Sequence, residues 1–198
     1  MTAKKSYHHG QLQEALLESA EASLEQQGPS GLSLRKLGRE LGVTPGAPYR
    51  HFADKEALLG ALSARGFERL REMMLEQMQG QQDPAQRLRL AGIAYLSFAS
   101  AHPQLFRLMF GWMPTQDCEA VHEAGAEAFG VLQATLDAAE AAGQLRLSAH
   151  ESALIVWSAI HGAAFLLIDG GLAKFELEGN VLALGNRIHA DLWTGIGN

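Results

Sequence analysis

Five cationic side chains, Arg35, Lys36, Arg39, Arg50 and Lys55, fall within residues 33–55 against two carboxylates, Glu40 and Asp54. Interleaved with them are Ser33, Thr44, Tyr49 and His51, whose hydroxyl and ring N–H groups donate hydrogen bonds. Guanidinium and ammonium groups attract anionic oxygens. The chain as a whole carries a net charge of −6, which taken alone argues against a polyanionic partner. The distribution of charge argues the other way, because residues 56–198 hold nine basic and sixteen acidic side chains. A local basic footprint on a repelling body directs a polyanion to one place.

The elements that position these groups are legible from apolar spacing. Leu34, Leu37 and Leu41 line one side of a short helix that Ser33 precedes. Gly42-Val43-Thr44 makes a tight break, and a second short segment runs to Phe52. Two short helices crossing at a brief Gly-containing turn are what a helix-turn-helix requires. Gly42 takes the positive φ that ends the first helix, Val43 plugs the space between the two, and Thr44 caps the second. The second helix is then expected in the major groove of DNA. It is a poor helix former, because Gly46 and Pro48 follow Pro45 and Pro48 has no amide to close an intrahelical bond. Thr44, Arg50 and the backbone at Gly46 are the candidates for base edges, and Ala47 for a thymine methyl. Discrimination is therefore expected to lean on apolar contact and DNA shape.

The remaining pattern is helical almost throughout. Leu12, Leu16, Ala20 and Leu24 form the stripe of a first helix, whose Glu14, Glu18, Glu21 and Glu25 recur on one solvent stripe. Asp54 caps a long helix that fades at Gln79-Gly80-Gln81-Gln82. Asp83-Pro84 restarts the chain, Ser148 with Glu151 reads as a capping box, and a last helix holds Val181, Leu184, Ile188 and Leu192. The fold expected is all-α with about nine helices: an N-terminal three-helix unit with the helix-turn-helix, plus a larger helical C-terminal domain. Residues 1–55 are read as the DNA-binding domain, 56–82 as a connecting long helix, and 83–198 as the ligand-binding and dimerisation domain.

An N-terminal three-helix unit of this spacing, joined to a long fourth helix and a helical body, resembles the TetR family of bacterial transcriptional regulators. Tyr7-His8-His9-Gly10, Ser33, Leu37, Gly42-Val43-Thr44, Gly46, Tyr49, Phe52 and Lys55-Glu56-Ala57-Leu58 carry the resemblance, over about the first third of the chain. The remainder resembles a branch whose C-terminal domain carries a Trp-…-His-Gly signature, here Trp157-Ser158-Ala159-Ile160-His161-Gly162, with His102-Pro103 through Phe106-Arg107-Leu108-Met109-Phe110-Gly111 upstream. The resemblance implies a homodimer on a double-stranded operator of two half-sites and a small molecule that releases it, a repressor by family tendency. It implies that Ser33, Tyr49 and Lys55 hold phosphates, with His51 beside them, and Arg35 is a further candidate for phosphate contact. Half-site spacing by itself favours pairing, and the last two helices, Glu151–Ile168 and Val181–Leu192, supply apolar surface for it. Gly162, Ala163 and Ala164 would permit close approach.

The aromatic and methionine content of residues 95–165 points to a small, largely apolar effector. Tyr95, Phe98, Phe106, Met109, Phe110, Met113, Phe129, Trp157 and His161 are the candidate lining. His161 lies between Trp157 and Phe165 on one helical face and also fits a hydrogen-bonded histidine at the core or dimer seam. No cofactor and no metal are expected: His122-Glu123 has Ala126 where a second zinc-ligating histidine belongs, and Cys118 is read as structural. Catalysis is not expected, since neither a nucleophile elbow nor a Gly-rich phosphate loop appears. Ser152–Ile168 is uncharged and reaches the lower edge of a spanning length. His161 and the flanking Glu151 and Asp169 argue instead for a helix buried in an oligomer. MTAKKSYHHG lacks the apolar run of a secretory signal and a lone cysteine forms no internal disulfide, so a cytoplasmic protein is expected. The rival readings are a DNA-binding module without effector and a helical small-molecule carrier or enzyme.

Overall fold

The computed structural model describes residues 9–111, 118–174 and 180–197. Among them are nine α-helices: α1 (His9–Gln27), α2 (Leu34–Glu40), α3 (Lys55–Gln77), α4 (Pro84–Ala101), α5 (Pro103–Gly111), α6 (Glu119–Ala141), α7 (Ala149–Ile168), α8 (Gly171–Lys174) and α9 (Val181–Ile196). No strand occurs among the described residues, only a single bridge between Leu145 and Gly197. Packing divides the chain into two units, residues 1–66 with 104–122 and residues 67–103 with 123–198.

Local chemistry explains most helix starts. Ser33 accepts from the Lys36 amide at 3.4 Å, and Asp54 Oδ1 accepts from the Ala57 amide at 2.8 Å. Asp83 accepts from Ala85 with Pro84 in the first turn. Ser148 and Glu151 close a full capping box, each side chain taking the other's amide at 3.3 and 3.1 Å.

In the first unit, Leu12, Leu16, Ala20 and Leu24 bury the inner face of α1, joined in the core by Leu34 and Leu37 of α2, by Phe52, and by Leu58 and Leu62 of α3. Gly42 has φ 69°, a left-handed conformation that glycine adopts at no steric cost. The acidic stripe of α1 is not simply solvated, as the sequence pattern suggested. Arg65 of α3 holds Glu14 at 2.6 Å and Glu21 at 3.8 Å, and Glu25 accepts two backbone amides of α5.

The second unit is built on α4, which packs against both α7 and α9. Leu88, Leu136, Ala149, Ala153, Val156 and Ile196 form a shared core from α4, α6, α7 and α9. Gly185 allows α9 to close on α4, since a Cβ there would lie 2.8 Å from Ile93 Cγ1. Helix α7 is long and apolar enough to cross a membrane by length and composition, yet one face of it (Ala153, Val156, Ile160, Ala164) is buried in this helical core.

Candidate nucleic-acid interface

The second element of the helix-turn-helix is not the helix that the spacing predicts. Residues 44–52 form two tight turns, with 3-10 geometry only over Pro48–Arg50. Ala47 N–H donates to the Thr44 carbonyl at 2.9 Å, Arg50 N–H to Ala47 at 3.2 Å and His51 N–H to Pro48 at 3.0 Å. The reason lies in the prolines: Pro45 and Pro48 have no N–H to give, and Gly46 adds conformational entropy that an α-helix must remove. Thr44 therefore contributes its carbonyl to a turn, and the turn at Pro48 has no side-chain cap.

What replaces the helix is a turn fixed from below. Pro48 is buried against Gly38 of α2, where a Cβ would stand 2.7 Å from Pro48 Cγ. Phe52 is 3% exposed and anchors the far end. Between these anchors Tyr49 is 51% exposed, an unusual setting for so large a ring, and Arg50 is exposed beside it. Thr44, Pro45 and Gly46 are exposed as well, while Ala47 and His51 are half-buried. Arg35, Arg39 and Arg50 are exposed and enter no ion pair among the described residues. Lys36 is committed to Gln27 at 3.1 Å and Glu40 at 4.0 Å. Exposed Lys55 spends one donor on the Ser30 carbonyl at 3.5 Å and retains two. Ser33 uses its oxygen as an acceptor for the cap, which leaves its hydroxyl proton to donate. The sequence-predicted residues thus lie on one unit, among them the exposed guanidinium groups of Arg35 and Arg50, the remaining donors of Ser33 and Lys55, and the exposed Tyr49 phenol.

The predicted pocket residues fall differently. Phe106, Met109 and Phe110 belong to the first unit, where Phe106 is fully buried against Phe110 and Met109 packs against Gly66. Met113 lies outside the described residues. Tyr95, Phe98, Phe129, Trp157 and His161 belong to the second unit, where Phe98 is fully buried. The other four meet. Tyr95 Oη is 2.8 Å from His161 Nδ1, and the His161 ring stands 5.6 Å from Trp157 and 5.0 Å from Phe165. Phe129 meets Trp157 edge-on at 5.7 Å, and both rings remain partly exposed. Sequence reasoning missed a separate cleft of about 300 Å³ lined by Leu75, Gln82, Pro84, Arg87, Val131, Ala134, Thr135 and Ala138. No single residue in it carried a signal.

Burial pushes the Tyr95 phenol well above its ordinary range, offset only in part by hydrogen bonding with Trp157. Burial also holds the His161 imidazole below its ordinary value, and His189 moves the same way through burial and then Arg89. The phenol therefore keeps its proton, which it can donate to a neutral His161. As pH falls, the unfolded chain takes up these histidine protons first. Their contribution to stability is present above pH ~6.5 and is lost as the pH drops through and below that value. Thermal unfolding between pH 5 and 8 is expected to show a melting temperature that declines on the acid side, with the decline shallower in His161→Phe. An equal decline in that variant would remove His161 as a cause.

The first unit thus carries a helix-turn-helix element with exposed cationic side chains, in a chain that is otherwise helical among the described residues. Residues 16–62 match the bacterial regulatory proteins of the tetR family, and residues 88–184 match the tetracyclin repressor-like C-terminal domain. The chain belongs to the tetR family of bacterial regulatory proteins. A solved structure of a protein of unknown function from Rhodococcus sp. RHA1 is similar at TM-score 0.87 and 35% identity, covering 98% of this chain and 100% of that one. The nucleoid occlusion factor SlmA of Vibrio vulnificus (strain YJ016) is 30% identical over 109 residues, 55% of this chain and 54% of that protein. The chain thus spans about half the length of the curated relatives it matches. FadR from Bacillus subtilis, solved with stearoyl-CoA, superposes at TM-score 0.71 over 92% of this chain and 98% of that one, and at 16% identity it shares the fold alone.

Proposed function

We propose that this protein is a ligand-released repressor that binds a palindromic operator as a homodimer in the cytoplasm. The observation that carries the reading is the exposed pair Tyr49 and Arg50 on a turn anchored by Pro48 and Phe52, together with exposed Arg35 and Arg39 of α2, which enter no ion pair among the described residues. Tyr49, Ser33 and Lys55 hold phosphates, while Arg50, Thr44, Pro45, Gly46 and Ala47 face bases and His51 supports the turn. Residues 1–55 serve as the reading head, 56–82 as the connecting helix and 83–198 as the effector and dimer domain. Phe129, Trp157 and His161, with Tyr95, offer an apolar effector partly exposed aromatic faces and one hydrogen-bonding pair. The acyl chain named with the FadR neighbour is of that chemical kind. The exposed apolar residues of α7 and α9 support pairing through the last two helices.

The test is a titration of the purified protein against DNA from upstream of its own gene, at two salt concentrations. Saturable, salt-sensitive, palindrome-dependent binding is expected. Tyr49→Ala should weaken it about tenfold, near the worth of one hydrogen bond to a charged group. Absence of specific binding across a genomic fragment library as well would sink the reading. The likeness to a nucleoid occlusion factor keeps a DNA-binding module without effector as the second reading. Release of bound operator by any apolar small molecule, together with a shift in melting temperature, counts against it.

A further inference from the structure

The cleft of about 300 Å³ lies wholly within the second unit, where the end of α3, the start of α4 and α6 meet. Its walls are mostly apolar: Leu75, Pro84, Val131, Ala134 and Ala138. Val131 and Thr135, one turn apart on α6, are buried, while Ala134 and Ala138 are exposed and too short to fill the space above them. None of Tyr95, Phe129, Trp157 and His161 lines this cleft, so it is a place separate from the aromatic cluster.

The polar groups of the cleft are unequal. Thr135 spends its hydroxyl proton on the Val131 carbonyl at 2.8 Å, so it has no donor left for an incoming molecule. Arg87 alone among the lining residues is charged, and its guanidinium is half-buried. One N–H of Arg87 goes to the Gln81 carbonyl at 3.1 Å, which leaves four of its five donors. No carboxylate pairs with it among the described residues. Asp83, one turn before it, accepts instead from the Ala85 amide and from Gln144 Nε2, each at 3.3 Å. Asp137, beside Ala138, is held by Gln133 Nε2 at 2.8 Å. A cation drawn partly out of water without a counter-ion carries a desolvation cost that an anion relieves. The planar fork of a guanidinium matches the two oxygens of a carboxylate.

We propose that this cleft is a second small-molecule site, one that takes an apolar monocarboxylate with its head group on Arg87 and its stem along Val131, Ala134 and Ala138. Size sets the class further. At ~30 Å³ for each non-hydrogen atom, the share of a water in the liquid, the cleft holds about ten such atoms. That is an acid of medium chain length, such as octanoate, and excludes a long acyl chain. Nothing in this site requires the protein to bind DNA, so it stands or falls apart from the operator reading.

The experiment is calorimetric titration of the full chain with octanoate and with octan-1-ol, which keeps the stem and removes the charge. Octanoate is expected to bind one per chain with a Kd below about 0.1 mM, and octan-1-ol at least tenfold more weakly. Arg87→Gln should bring octanoate down to the level of octan-1-ol while leaving octan-1-ol within about twofold of wild type, which shows the cleft intact. Ala134→Trp, at an exposed position, should fill the space and remove binding of both, with far-UV circular dichroism unchanged. No saturable binding of octanoate, or equal affinity for the acid and the alcohol, would overturn the site. Octanoate binding that survives Arg87→Gln or Ala134→Trp would place the acid elsewhere and overturn it as well. Equal loss of both probes in Arg87→Gln would leave Arg87 a structural staple on Gln81 and refute its role as the anion's partner.

Discussion

Gly38→Ala is expected to lower operator affinity about a hundredfold while leaving most of the fold standing. Glycine inside a helix costs ~1 kcal/mol against alanine, so on propensity alone the substitution should stabilise α2. The packing says otherwise. An added methyl stands 2.7 Å from Pro48 Cγ and 3.3 Å from Cδ, with Val43 Cγ2 at 3.6 Å. A flexible side-chain end could swing aside, but the pyrrolidine ring is closed on its own backbone and takes the 48–50 turn with it. Overpacking of this kind costs ~1–3 kcal/mol, which outweighs the propensity gain. The larger effect falls on function, because Tyr49 and Arg50 ride on the displaced turn. A misplaced phosphate contact and a lost base contact together lower operator affinity by about a hundredfold. Gly46→Ala is the control for stability, since nothing lies within 4 Å of the added methyl and the backbone there is not left-handed. Urea unfolding of the two variants, with operator titration of Gly38→Ala against wild type, separates the cases. Wild-type binding by Gly38→Ala would show that the turn is not what DNA reads.

The contact of Gly38 with Pro48 carries no signal in the sequence, and the reason generalises. Ser33, Asp54, Asp83-Pro84 and Ser148 with Glu151 each announced a helix start because a cap is satisfied within three residues. Apolar spacing announced the helices themselves. The segment at 45–50 was misjudged because the helix-turn-helix pattern implied a helix that Pro45, Gly46 and Pro48 could not sustain. Residues that act across long separations gave no signal at all: Glu25 was read as one member of an exposed acidic stripe, although its partners lie at 104 and 105. The aromatic candidates were equally ambiguous. Composition marks Phe98 and Trp157 alike, and only packing separates a fully buried ring from a partly exposed one.

Placing lysine at both Leu154 and Leu166 should separate the two subunits without unfolding either. In the single chain Leu154 is 64% exposed, Leu166 50% and Leu182 of α9 54%. Leucine at such exposure on two neighbouring helices is a patch that water disfavours. Between the two α7 leucines the same face carries Ser158 and exposed Gly162, with no atom within 4 Å of a Cβ at Gly162, so a partner helix can approach closely. A twofold axis presents every substitution twice, so two lysines per chain put four ammonium groups into one interface. Removing such charges from water costs several kcal/mol, enough to raise the dimer dissociation constant at least a hundredfold. Because both positions are exposed in the single chain, far-UV circular dichroism should be unchanged. Sedimentation should show the monomer, and palindrome affinity should fall toward that of one half-site as the effective concentration of the second head is lost. A variant that still sediments as a dimer would move the interface away from α7 and α9. A variant that turns monomeric yet binds the palindrome undiminished would instead mean that DNA itself assembles the pair, one subunit arriving at a time.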